Sequence, residues 1–135
     1  YHGIYIFLND GKNNFKQSYF YQMNGAYKAI VRDFDMDGDL DIAAISFFPD
    51  YLRYPEESFI YLENIGNLKF DDYSFPEATK GRWIVMDAGD MDGDGDIDLV
   101  LGSFVYFLPQ GDTTGLGKKL LTTGPSVIVL ENTIR

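Results

Sequence analysis

The chain has 135 residues, 45% hydrophobic and 16% aromatic, with no cysteine and a formal net charge of −10. That length and apolar content fit one folded domain and exclude a disordered chain. The missing cysteines exclude a disulfide framework, a thiolate metal site and a cysteine nucleophile. The acidic balance argues against nucleic-acid binding, which needs a basic face, and no apolar run is long enough to span a bilayer.

The first predicted elements are short strands at about residues 4–8 and 15–21, joined by Asn9-Asp10-Gly11, a hairpin-turn signal. A strand over about residues 27–32 follows. It runs into Asp33-Phe34-Asp35-Met36-Asp37-Gly38-Asp39-Leu40-Asp41, with aspartate at positions 1, 3, 5, 7 and 9 and glycine at 6. Residues 40–47 are nearly all apolar, as expected of a strand buried on both faces. A loop with Pro49 and Pro55 leads to a strand over 58–63. A turn over 64–67 and a more polar strand over 68–73 complete this unit. Then the pattern restarts. A strand over 83–86 enters Asp90-Met91-Asp92-Gly93-Asp94-Gly95-Asp96-Ile97-Asp98, 57 residues after the first acidic loop. Strands over 97–107 and 126–134 follow, with a long loop between them.

The repetition extends beyond the acidic loops. Ile6-Phe7-Leu8-Asn9-Asp10-Gly11 with Phe15 resembles Ile60-Tyr61-Leu62-Glu63-Asn64-Ile65-Gly66 with Phe70, and Val127-Ile128-Val129-Leu130-Glu131-Asn132 is a third occurrence. Four strands per unit, with an apolar inner pair and a polar outer strand, describe a β-propeller blade. The expected fold is therefore all-β, a partial β-propeller of four-stranded antiparallel blades. It divides into a half blade of outer strands (1–25), a complete blade (26–75) and an incomplete blade with a long loop (76–135). About two and a quarter blades are too few to close a ring alone. The chain opens inside a strand-like run and reads as a piece of a larger protein, so it carries no message about a signal peptide. No segment shows helical periodicity over three turns, and the stretch 110–124, with four glycines and four threonines, reads as a loop.

The two acidic loops hold ten of the 21 acidic residues. Neighbouring carboxylates at such spacing repel by about 2–3 kcal/mol per close pair at an intermediate effective dielectric. A hard cation offsets that repulsion. Calcium takes six to eight oxygen ligands in flexible geometry, and glycine at position 6 allows the backbone to curl around it. Magnesium prefers fewer carboxylates and more water, and zinc lacks its nitrogen and sulfur donors here. An EF-hand needs glutamate at position 12 between helices. Position 12 is Ala44 in one loop and Leu101 in the other, with strands on both sides.

The two D-x-D-x-D-G-D-x-D loops resemble FG-GAP/VCBS repeats, the units of integrin-α-like calcium-binding β-propellers. The apolar strands that follow them, Ile42-Ala43-Ala44-Ile45 and Leu99-Val100-Leu101-Gly102, share the resemblance, as does the recurring Leu-x-Asn turn with its later Phe. The resemblance covers nearly the whole chain outside 109–125. It implies two calcium sites, one at Asp33, Asp35, Asp37, Asp39 and Asp41 and one at Asp90, Asp92, Asp94, Asp96 and Asp98. Position 7 would contribute its main-chain carbonyl. It also implies a secreted or surface location: extracellular, periplasmic or on the cell. Family propellers have about seven blades, more than this chain supplies.

Catalytic patterns are sparse. His2 is the only histidine, no G-x-S-x-G elbow appears, and Gly117-Lys118 fails as a phosphate loop because Asp112 and Lys119 stand at required positions. Glu56, Glu57 and Asp50 could supply a carboxylate pair, but the sequence does not fix their separation. The loops expected opposite the acidic ones, 48–57, 75–82 and 107–125, carry Tyr51, Arg53, Tyr54, Lys118 and Lys119 and lie beside Trp83. Tyr51, Arg53 and Tyr54 divide between packing and ligand contact, whereas Trp83, Phe47 and Phe104 read as packing between blades. The expected function is a non-enzymatic adhesion or recognition module for a protein or glycan. The alternatives are the propeller portion of a polysaccharide lyase and a self-assembling ring subunit, in which three copies approach seven blades.

Overall fold

The computed structural model describes residues 2–106 and 114–134. It is all-β, with antiparallel sheets of two, four and three strands and no closed barrel among the described residues. The first sheet pairs β1 (Gly3–Asn9) with β2 (Phe15–Gln22). The middle sheet runs in sequence order through β3 (Ala26–Arg32), β4 (Asp41–Ser46), β5 (Phe59–Asn64) and β6 (Phe70–Tyr73). The third sheet consists of β7 (Trp83–Gly89), β8 (Asp98–Ser103) and β9 (Val127–Leu130). The acidic loops join β3 to β4 and β7 to β8. They therefore lie at one end of the strands, and the loops leaving β4 and β8 lie at the other.

The apolar run read as a doubly buried strand is β4, all six of whose residues are buried. Its side chains alternate between two cores. Ala43 and Ile45 join Phe34, Phe59, Trp83, Met86, Leu99 and Leu101 between the middle and third sheets. Ile42 and Ala44 join Met23, Ile60 and Leu62 beneath Ile4, Ile6, Tyr19 and Tyr21 of the first sheet. The three sheets thus stack face to face, each core formed by alternate residues of facing strands.

The third strands of the three units align through their terminal asparagines. Asn9, Asn64 and Asn132 each accept a hydrogen bond from the N–H two residues on, at 3.0, 3.1 and 3.3 Å. Asn9 pairs with Phe15 as Asn64 pairs with Phe70. This register makes Ile6 the counterpart of Tyr61. A shift between Ile6 and Phe7 in the β1–β2 ladder leaves Ser18 as an extra residue.

One expectation fails. Residues inside the 110–124 stretch form an α-helix, α1 (Leu116–Thr123), with Leu120 and Gly117 buried. Gly115 precedes it at φ 77°, a left-handed conformation that suits glycine. Two 3-10 turns, Pro55–Ser58 and Pro76–Lys80, each begin on a proline, whose fixed φ and missing N–H suit a helix start. The strand expected over 97–107 is shorter: β8 ends at Ser103 and residues 104–106 are not strand, while 107–113 lie outside the described residues.

Candidate metal centres

The two acidic loops share most of their backbone geometry and hydrogen bonds. Position 6 is left-handed in both, with φ 96° at Gly38 and 100° at Gly95. Position 4 is left-handed too, as Met36 (φ 60°) in one loop and Gly93 (φ 86°) in the other. The position 1 carboxylate accepts the position 6 N–H at 3.1 Å in each loop, Asp33 from Gly38 and Asp90 from Gly95. Asp35 and Asp92 accept from Asp37 and Asp94, each at 3.1 Å. Asp37 and Asp94 accept from Asp39 and Asp96, at 2.8 and 3.2 Å. These bonds curl the backbone so that alternate carboxylates face inward.

Carboxylate oxygens of Asp33, Asp35 and Asp37 lie within 4.8 Å of one another, as do those of Asp90, Asp92 and Asp98. Oxygens that share one calcium at about 2.3–2.6 Å are separated by at most about 5 Å, so both groups have the spacing of a shared ion. Asp33 Oδ1 is buried with no hydrogen-bond partner, and so are both carboxylate oxygens of Asp96, a residue 2% exposed. Buried anionic oxygens are costly without a counter-charge. Burial raises the Asp35 carboxyl above its usual range, opposed by the Asp37 N–H and reinforced by the charges of Asp41 and Asp37. Burial likewise raises Asp96, with the Asp94 and Asp98 charges adding to the shift.

Position 9 has a structural task that the spacing alone did not disclose. Asp41 is fully buried and accepts three bonds: Phe34 N–H at 3.0 Å and Tyr61 O–H at 2.9 Å on Oδ2, and Asn64 N–H at 2.9 Å on Oδ1. Asp98 repeats two of them, with Met91 N–H and Asn132 N–H, each at 2.8 Å. These carboxylates pin the acidic loop to the end of the third strand of its own sheet. The two donated N–H bonds hold the Asp98 carboxyl below the usual range, with burial opposing. The asparagine side chains add clasps: Asn64 Nδ2 donates to Leu40 O at 3.2 Å, and Asn132 Nδ2 donates to Phe34 O at 2.7 Å, across to the other acidic loop. The recurring Leu-x-Asn motif marked these residues without revealing what they hold.

The loops differ at two partners: Asp90 Oδ1 accepts the Gly93 N–H at 2.7 Å where Asp33 Oδ1 has none, and the second loop lacks the tyrosine. Tyr61, which pairs with Ala43, corresponds to Val129, which pairs with Val100 in the third sheet. A carboxylate oxygen has two lone pairs. Asp41 Oδ2 spends both, on Phe34 and Tyr61. Asp98 Oδ2 takes only the bond from Met91 among those seen here. Asp98, and not Asp41, belongs to one of the two close carboxylate groups. Asp39 and Asp94 are exposed and fall outside the two groups, as does buried Asp96.

At the opposite end, Trp83 is buried and its Nε1–H donates to Ala78 O at 2.9 Å, so it packs as expected. Phe47 lies under the Arg82 guanidinium, 3.9 Å from the ring centroid. Phe104, read as packing, is instead more than half exposed and stacked on Tyr106 with ring centroids 6.0 Å apart. Burial pushes the Tyr51 phenol up to about 12 even though Arg82 beside it opposes the rise. Arg53, Tyr54, Phe48, Lys118 and Lys119 are exposed. His2 is exposed as well, and no helix among the described residues is long and apolar enough to cross a membrane. No protein-family model, curated protein or solved structure matches the chain.

Proposed function

We propose that the chain is a calcium-stabilised, non-enzymatic recognition segment made of repeats of the FG-GAP/VCBS kind. The observation that carries this reading is the duplicated loop geometry, which turns three carboxylates inward twice and leaves buried acidic oxygens unpartnered. Asp33, Asp35 and Asp37 would hold one ion, and Asp90, Asp92 and Asp98 the other. The family resemblance adds the main-chain carbonyls of Asp39 and Asp96, and brings Asp41 and Asp94 into the same shells. An all-oxygen donor set favours calcium over zinc, and the number of carboxylates favours it over magnesium. Each bound ion would neutralise the loop and stabilise the fold by RT ln(1 + [Ca]/Kd), about 2.7 kcal/mol at a hundredfold excess over Kd. Millimolar extracellular calcium would fill even weak sites, which suits a secreted or surface protein.

Calcium here supports a scaffold, and the scaffold presents the loops at its other end. Phe48, Arg53, Tyr54, Phe104 and Tyr106 are exposed there. Aromatics with arginine are common anchors at recognition surfaces, so a protein or glycan is the proposed ligand. The test is retention of the calcium-loaded chain on immobilised glycans and on candidate surface proteins. Retention without cleavage, lost in an Arg53→Ala, Tyr54→Ala double variant, is the expected result. Cleavage of a polysaccharide by the chain itself would overturn the non-enzymatic reading.

A further inference from the structure

One stretch of this acidic chain is basic. The formal net charge is −10, yet residues 113–130 contain two lysines and neither aspartate nor glutamate. Both lysines, Lys118 and Lys119, are on α1. The end of that helix meets the Pro76–Lys80 turn, which links the middle sheet to the third. A Cβ on Gly124 would lie 2.6 Å from Leu120 O and 2.8 Å from Lys80 O, so only glycine allows this approach. Between the two elements is a cavity of about 280 Å³, lined by Thr79, Lys80, Lys119, Leu120, Thr123 and Gly124. That is close to the lower limit of small-molecule pockets, roughly 300 Å³. Both walls are fastened. In the turn, buried Ala78 accepts on its carbonyl from Trp83 Nε1–H at 2.9 Å and from Ser58 O–H at 2.7 Å. The helix closes with a bond from Gly124 N–H to Leu120 O at 3.1 Å. A preformed cavity has little ordering cost to meet on binding.

The lining selects a kind of ligand. Leu120 is buried and contributes apolar surface. Thr79 O–H donates to Pro76 O at 3.1 Å and Thr123 O–H donates to Lys119 O at 2.9 Å, so both hydroxyl oxygens remain able to accept. The last carbonyls of a helix are acceptors as well. Such a set suits a ligand rich in hydroxyl donors. Lys80 Nζ is held by Glu77 Oε1 at 3.1 Å, whereas Lys119 makes no ion pair among the described residues. The cavity therefore offers one uncommitted ammonium. It also lies at the negative end of the helix dipole, which disfavours a doubly charged phosphate. A polyhydroxylated ring with a single carboxylate matches all of these: its hydroxyls donate to the threonines and carbonyls, its carboxylate pairs with Lys119, and its C–H face rests on Leu120.

We propose that this cavity is a subsite for a uronate, a sugar ring carrying one carboxylate, within an anionic glycan. The proposal rests on the glycan form of the recognition reading above and names the class of glycan. The subsite lies at the same end of the strands as exposed Arg53 and Tyr54, but neither residue lines it.

The test is calorimetric titration of the calcium-loaded chain with a galacturonate trimer and, separately, with a neutral galactose trimer. The acidic trimer is expected to bind, and the neutral one to bind about tenfold more weakly, the worth of one charge-assisted bond. Lys119→Gln should cost the acidic trimer about the same factor. Lys118→Gln, on the same helix but outside the lining, should leave its affinity unchanged, as should the Arg53→Ala, Tyr54→Ala double variant. Glu77→Gln releases Lys80 and should tighten binding. Circular dichroism confirms that each variant keeps its strands. No binding of the acidic trimer, equal binding of the neutral one, or equal losses in Lys118→Gln and Lys119→Gln would each overturn the subsite. Binding lost in the double variant but kept in Lys119→Gln would overturn the subsite and leave the recognition reading standing. Cleavage of the trimer, with Lys119 still required for its binding, would support the subsite and overturn the non-enzymatic reading instead.

Discussion

Asp41→Asn separates the two tasks that an acidic-loop aspartate can have. Asp41 is 0% exposed and accepts from Phe34 N–H, Asn64 N–H and Tyr61 O–H. An amide keeps one acceptor oxygen and puts a donor where the other stood, so at least one buried N–H loses its partner. That costs about 1–3 kcal/mol. The surviving bonds lose their ionic component, which accounts for roughly half of a charge-assisted bond, or about 1 kcal/mol more. The sum, about 2–4 kcal/mol, is a large share of the roughly 5–15 kcal/mol that stabilises a domain. Urea unfolding followed by circular dichroism reads it, first in chelator and then in calcium. The structural account requires the loss to appear in chelator, where no ion contributes. A loss under about 0.5 kcal/mol there, with a large one in calcium, would refute the pin and make Asp41 a ligand only.

Further outcomes follow from the same geometry. Tyr61→Phe frees a lone pair on Asp41 Oδ2, so calorimetry should show tighter calcium binding at the first loop and no change at the second; unchanged affinity at both would contradict the comparison with Val129. Asp96→Asn removes a buried charge with no hydrogen-bond partner, so the variant should melt higher than wild type in chelator and gain less from calcium. A lower melting point in chelator would show that the carboxylate has a partner of its own. For Tyr51, the phenol titrates at about 10 when unfolded and about 12 when folded. The unfolded chain therefore loses that proton first, and stability that is complete below pH about 10 declines as pH rises toward 12. Tyr51→Phe should flatten this alkaline limb relative to wild type in unfolding curves from pH about 9 to 12, and an identical limb in the two proteins would contradict the burial argument.

Much of this architecture is legible in the residues because the repeats state it more than once. Two loops with the same nine-residue pattern and an apolar run after each place β4 and the start of β8, although β8 ends at Ser103, short of the expected residue 107. Leu116–Thr123 was missed for a physical reason: two turns of helix offer only the Leu116 and Leu120 spacing, and the glycines and threonines around them point to a loop. The pinning role of Asp41 and Asp98 could not be read locally, since their partners Asn64 and Asn132 lie 23 and 34 residues away along the chain. Phe104 looked like core because of its aromatic ring, yet it lies past the end of β8, where no sheet face among the described residues covers it.

Calcium titration of chelator-stripped protein by calorimetry, repeated in excess magnesium, tests the central claim most directly. The account requires two calcium ions per chain, retained in magnesium, with a matching rise in melting temperature. No heat, or calcium displaced by magnesium at similar concentration, would contradict it.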